Sequence, residues 1–332
     1  TWKDWIDRRW MAKYTELPEM ADEAGSSYNL GLTNQDTLKE ISAIAMRCGG
    51  CGAKVGANVL TRALSELKPA PRDDILIGLH EPDDAAVVEV PPGKVMVHTV
   101  DYFRSFIDDP YIFGKVAANH SLSDVFAMGA EAQTALAIAT VPYGIESKVE
   151  DTVKQMMSGA LEVLNAAGAT LVGGHTSEGA ELALGFSVNG LANREDILRK
   201  GGMKPGDVLI LTKPLGTGTL FAADMQQKAK GRWIDAALDS MVLSNHDAAK
   251  CVYRHGAQAC TDITGFGLLG HMVEMVKGSG VDVEVDLNAL PIMDGAMETV
   301  RAGILSSLQP ANVRLRRAIR NIEEASKNER YP

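Results

Sequence analysis

Two long segments with helical apolar periodicity, residues 111–128 and 146–167, each end at a glycine, Gly129 and Gly168. Each is followed by a short apolar run, Thr134–Val141 and Ala169–Val172. That alternation is the tightest constraint in the chain. Helices and short strands taken in turn must share one core, so helices are laid on a sheet and the class is α+β. Runs at Ala85–Val90, Val95–Val100 and Leu182–Leu191 extend the strand set, and Val55, Val59, Leu60, Ala63, Leu64 and Leu67 stripe a helix over 54–68. Between Asn193 and Pro205 the texture changes to charge, Gly and Pro. A second set follows, with strands expected at Val208–Thr212, Ala257–Asp262 and Val281–Leu287, and helices at 217–229, 233–252 and 267–278. The expected division is an N-terminal extension over 1–47, a domain over 48–193 and a second domain over 194–332, in keeping with about 100–200 residues per domain. Residues 1–14 read as a Trp-bearing helix packed on a domain, and 15–34 as a linker.

Composition narrows the function classes. The 332 residues carry 33 Lys and Arg against 43 Asp and Glu, a formal charge of −10. Nonspecific nucleic-acid binding needs a cationic surface, so that class is set aside. There is no apolar run of about 18 residues and hence no transmembrane helix. The start, Thr1-Trp2-Lys3-Asp4-Trp5, has no apolar h-region. Four cysteines do not make a disulfide scaffold, and a reducing cytoplasm is the simplest compartment.

Three places could carry chemistry. In Cys48-Gly49-Gly50-Cys51-Gly52-Ala53-Lys54, glycines free backbone N–H groups to approach an anion, and Lys54 adds a mobile charge suited to phosphate. A redox pair, half a zinc site, a mobile loop with a reactive Cys51, and a plain surface loop all fit these residues, whereas the P-loop spacing is absent. Carboxylates also stand at element ends. Asp83 and Asp84 precede an apolar run, Asp101 ends the next, Asp124 sits in a helix between Leu122 and Val125, and Asp262 ends another strand-like run. One such Asp is ordinarily a cap or turn residue, but four such sites point to a cluster for a hard cation such as Mg²⁺. The third place is Gly173-Gly174-His175, where a strand running into two glycines lets a ligand approach. A lone His after such a pair is ordinarily a structural hydrogen-bonder. The later Gly265-Phe266-Gly267-Leu268-Leu269-Gly270-His271 reads as a glycine loop opening a helix.

Taken in order, these segments resemble the selenophosphate synthetase (selenide, water dikinase) family. The resemblance is carried by Gly50-Cys51-Gly52-Ala53-Lys54, Asp83-Asp84-Ala85-Ala86-Val87, Thr99-Val100-Asp101-Tyr102-Phe103 and Asn119 to Gly129. It continues through Gly173-Gly174-His175, Leu211 to Gly216 and Thr261 to His271, and covers roughly residues 48 to 305. It implies a two-domain ATP-dependent synthetase fold of the aminoimidazole ribonucleotide synthetase superfamily. The N-terminal half would form a β-barrel shared between the copies of a homodimer, with an α/β half behind it. The implied reaction takes ATP, selenide and water to selenophosphate, orthophosphate and AMP. By resemblance, Cys51 and Lys54 are catalytic. Lys54, Glu81, Pro82, Asp83, Asp101, Asp124, Gly173, Gly174 and His175 bind ATP, and Asp84, Asp124 and Asp262 hold Mg²⁺.

Two departures stand out. Ala53 occupies the place of a second family cysteine, and the family's Asp-Pro-Gln-Thr-Ser-Gly-Gly segment is missing, so the C-terminal domain is expected to be incomplete. Residues 1–47 resemble the junction that follows a flavin-dependent oxidoreductase domain in longer polypeptides. Two other readings use the same residues. Another ATP-dependent kinase or synthetase of the superfamily would need the carboxylates but not Cys51. A thiol-based selenium carrier would need the cysteines but leave Asp84, Asp101, Asp124 and Asp262 without a use.

Overall fold

The computed structural model describes Val55, residues 57–80 and residues 85–324, all within the unit Arg47–Pro332. The expected helix over 1–14 and Cys48, Cys51, Lys54, Glu81, Pro82, Asp83 and Asp84 lie outside the described residues.

Helix α1 (Ala57–Ser65) precedes a two-stranded antiparallel pair, β1 (Ile75–Ile77) and β2 (Val87–Val88). The main sheet takes β3 (Lys94–Arg104), β4 (Glu131–Pro142), β5 (Thr170–Gly179) and β6 (Ala183–Asn193) in the order β3-β6-β4-β5. β3 and β4 both pair antiparallel with β6, and β4 pairs parallel with β5. A parallel pair needs a crossover, which α3 (Glu146–Ala166) supplies.

Helix α2 (Pro110–Ala127) starts where Asp109 accepts the Tyr111 and Ile112 N–H groups at 2.8 and 3.0 Å, with Pro110 in the first turn. Its apolar residues face all round rather than along one stripe. Phe113, Ala117, Leu122 and Val125 are fully buried, as a helix enclosed by sheet and other helices requires. Each large side chain among them stabilises by about 1.5–3 kcal/mol. Gly129 and Gly168 close α2 and α3 with φ of +72° at both.

Beyond Asn193 the described elements are helices, chiefly α4 (Thr217–Met225), α5 (Gly231–Val242), α6 (His246–Arg254), α7 (Gly267–Ser279) and α8 (Ala296–Arg301), with a one-turn helix at Gln309–Asn312 and short 3-10 helices. A smaller core of Leu220, Phe221, Trp233, Ala237, Met293 and Ala296 serves them. Phe106 and Ile107 pack against both cores, and Phe106 meets Phe221 edge-on at 4.6 Å.

Three expectations are corrected here. Val208–Thr212, Ala257–Asp262 and Val281–Leu287 form no ladder; among the described residues of this half the one β-bridge joins Leu215 to Ile292. A strand needs a neighbour to take its N–H and C=O groups, and Val208 and Ile210 instead stand 83% and 72% exposed. The helix expected over 233–252 is two helices. Leu243 is extended, the Ser244 hydroxyl accepts the His246 N–H at 3.2 Å, and the Asn245 amide donates to Ser123 Oγ on α2 at 3.0 Å. The strand expected to stop at Val172 runs on to Gly179, carrying Gly173-Gly174-His175 along β4 past a register shift.

Candidate active site

Strand β3 and helix α2 build the site by matching their repeats. Alternate residues on a strand share a face about 6.7 Å apart, and residues four apart on a helix share a face about 6 Å apart. Thr99 Oγ1 therefore donates to Asp124 Oδ2 at 2.5 Å, while one step along, Asp101 Oδ2 lies 3.7 Å from His120 Nε2. Phe103, the next residue on that strand face, packs edge-on against His120 and Phe113, with centroids 5.2 and 5.7 Å away. On the neighbouring strand, Gly185 makes room for this arrangement. A Cβ there would stand 1.9 Å from the Asp101 carbonyl oxygen.

The C-terminal half supplies Asp262. It lies in an irregular segment fixed by the Cys260 N–H, which donates to the Arg199 carbonyl at 2.9 Å. Beyond it, the loop 263–266 is closed by Asn312, whose amide donates to the Gly265 carbonyl at 3.1 Å, and by His271 of α7.

Asp101, Asp124 and Asp262 thus come from three separate segments into one electrostatic neighbourhood. Burial pushes the Asp101 carboxyl up, with Asp124 and Asp262 adding to the rise and His120 opposing it. Burial and then the Asp124 charge push Asp262 up. Among the described residues no Lys or Arg forms an ion pair with any of the three. Burial pushes the His271 imidazole down, which keeps it neutral.

An all-oxygen donor set suits a hard cation. Among the described residues no three His, Cys, Asp or Glu side chains close a complete cage. Mg²⁺ fits that pattern, because it takes one or two carboxylates and fills its octahedron with water and phosphate oxygens.

The structure places Gly173, Gly174 and His175 elsewhere. They lie on β5, with β6 and β4 between them and β3. Gly174 and His175 are exposed. Both glycines have a packing reason: a Cβ on Gly174 would stand 2.2 Å from the Ala137 carbonyl oxygen, and one on Gly173 would stand 3.2 Å from Leu136. Val55, the residue after Lys54, is buried and donates its N–H to the Thr176 carbonyl of β5 at 3.3 Å. Thr99, His120 and Gly185 were not singled out from sequence. The spacing of His120 from Asp124, one helical turn, was the available signal.

Residues 82–192 match the family "AIR synthase related protein, N-terminal domain", and residues 204–311 match its C-terminal domain counterpart. The chain is 40% identical over 259 residues to a selenide, water dikinase of Caldanaerobacter subterraneus, covering 78% of this chain and 74% of that one. It is 41% identical over 261 residues to one of Geobacter metallireducens, covering 78% and 76%. Among solved structures, thiamine-monophosphate kinase of Stenotrophomonas maltophilia aligns with a TM-score of 0.60 at 23% identity, covering 75% of this chain and 80% of that one. The hydrogenase maturation protein HypE in complex with ATP aligns with a TM-score of 0.55 at 18% identity, covering 70% and 75%. These two show a shared fold, and the longer, closer sequence matches show that the chain belongs to the selenide, water dikinase family of AIR synthase related proteins.

Proposed function

We propose that the chain phosphorylates selenide at the expense of ATP, with ATP, selenide and water giving selenophosphate, AMP and orthophosphate. The observation that carries the reading is the gathering of Asp101, Asp124 and Asp262 without a neutralising cation among the described residues. Three like charges held together cost stability unless a cation arrives, and phosphoryl transfer is chiefly positioning plus charge neutralisation. Asp124 and Asp262, with Asp84, would hold Mg²⁺, which neutralises triphosphate oxygens when bound. Asp101, with Glu81, Pro82 and Asp83, lines the nucleotide site. Thr99 orients the Asp124 carboxylate by its hydrogen bond, and Asp101 shares a further side-chain hydrogen bond with Asp124 that a bound cation would replace. Lys54 holds phosphate charge, and the Cys51 thiolate handles selenium.

Two strands separate Gly173-Gly174-His175 from Asp101 within one chain, and a nucleotide held between two copies would bring both sets to one ligand. The sheet supports this. Helices α2 and α3 cover one face, while Val100, Tyr102 and Leu136 stand 59%, 47% and 41% exposed. We therefore propose a homodimer joined through that face. The division into 48–193 and 194–332 is part of the same proposal, supported by the extents of the two family matches.

The test is ³¹P NMR of ATP and Mg²⁺ with the chain, with and without anaerobic selenide. A selenophosphate resonance matched by AMP is expected, and Cys51→Ala is expected to abolish it. ATP consumption that ignores selenide would assign the chain to another chemistry of the superfamily.

A further inference from the structure

His271 is 5% exposed and lies in the first turns of α7. Its Nε2 accepts the Thr264 backbone N–H at 3.1 Å and lies 3.3 Å from Thr264 Oγ1. A ring nitrogen that accepts an amide N–H carries no proton, so the single N–H of the neutral ring is on Nδ1. Nδ1 is buried and has no hydrogen-bond partner among the described residues. A buried donor without an acceptor is costly, and an orphan of this kind calls for a reason. The Thr264 bond locks the ring, so the donor's direction is fixed rather than free to seek a partner.

The surroundings narrow what the acceptor can be. The ring feels the charges of Asp262 and Asp124. Neither carboxylate accepts from Nδ1. The acceptor therefore comes from outside the described residues, and a ligand of the carboxylate site can supply it. The carboxylates leave this neighbourhood rich in acceptors, and an anionic oxygen entering it needs every donor on offer. A neutral imidazole N–H supplies direction without adding a charge that would compete with a cation for Asp262.

We propose that His271 is a ligand-contacting residue of the nucleotide site, its Nδ1–H donating to a phosphoryl oxygen of the bound nucleotide. The proposal rests on the nucleotide-binding part of the reading above and adds a contact from the C-terminal half to it.

Two substitutions separate the two ring nitrogens. His271→Gln puts an amide oxygen where Nε2 receives the Thr264 N–H, but leaves no donor at the place of Nδ1. His271→Asn puts an amide nitrogen at the place of Nδ1, but leaves the Thr264 N–H without its acceptor. Titration calorimetry of a non-hydrolysable ATP analogue with Mg²⁺ onto the full chain reads the difference. His271→Gln is expected to melt near the wild type yet bind about tenfold or more weakly, the scale of one hydrogen bond to a charged group. His271→Asn is expected to bind within about threefold of wild type while melting lower. Wild-type affinity in His271→Gln overturns the proposal, and is what a trapped water on Nδ1 would give. Long-range ¹H–¹⁵N spectra of the wild type decide independently of either variant. The His271 Nδ1–H signal is expected to shift and to exchange with water more slowly once the analogue is added, and an unchanged signal overturns the contact. A wild-type chain that binds no nucleotide overturns the proposed function along with it, which separates the two failures.

Discussion

At neutral pH the carboxylates of Asp101 and Asp262 ionise against burial and against the charge of Asp124. A carboxyl whose pKa is raised on folding contributes stability that is full below its unfolded value and lost as pH rises through the folded one. Without metal, Asp262→Asn is therefore expected to raise the neutral-pH Tm by about 2–5 °C. It should also reduce ATP turnover about 10²- to 10³-fold. Mg²⁺ is expected to raise the Tm of the wild type but not of the variant, which calorimetric scans with and without the ion would show. Asp74 has the opposite sign. The Arg72 guanidinium grips both its oxygens at 2.9 and 2.8 Å, and with Gln133 holds its carboxyl at about 2. That stability is present above the ordinary Asp value of about 4 and is lost as pH falls toward 2. Denaturation midpoints measured across that window should fall steeply for the wild type and much less for Arg72→Met. The three carboxylates of the site were legible in the sequence because each ends an apolar run or interrupts a buried helix. Thr99 and His120 were not, since their roles depend on how β3 registers against α2, a tertiary fact no spacing within either segment records.

Between elements, close approach decides the packing. α2 and α3 cross where Gly114 faces the Met156 carbonyl and Gly159 faces that of Tyr111; an added Cβ would stand 1.9 and 2.0 Å from those oxygens. Backbone cannot yield as a flexible side chain does, so Gly114→Ala is expected to cost about 1–3 kcal/mol or more, although alanine favours helix by about 1 kcal/mol. Urea unfolding would measure it, and a gain in stability would show that the helices slide apart freely. The apolar runs at Val208–Thr212, Ala257–Asp262 and Val281–Leu287 misled in sequence. Composition records a capacity for pairing, whereas a ladder also needs a neighbour, and none of the described residues provides one there. The same holds for β5: its two glycines read as an end because they weaken a strand, yet parallel pairing with β4 carries them through.

For the whole molecule, alternation along β3 sets two surfaces back to back. Asp101 faces α2 and Val100 faces away, 59% exposed. Val100→Glu is thus expected to break the proposed dimer without touching the carboxylates, giving a folded monomer of 35.5 kDa in sedimentation that no longer turns over ATP. If the site is shared, coexpressing Asp124→Asn with His175→Ala is expected to recover about a quarter of wild-type activity, since half of the dimers pair one intact site with one doubly defective site. Activity surviving in the Val100→Glu monomer would remove the shared site. The strand order carries a further consequence, in time rather than space. β4 pairs with β5 across the α3 crossover and with β6 just beyond, whereas β3 reaches β6 only across most of the domain, Lys94 pairing with Asn193, 99 residues on. Closing so long a loop is entropically late, so hydrogen-exchange labelling during refolding should protect the amides of β4, β5 and β6 before those of β3. The strand that brings Asp101 to the carboxylates is then among the last parts laid down, and nascent chains should acquire their hydrophobic core before they can charge a nucleotide site.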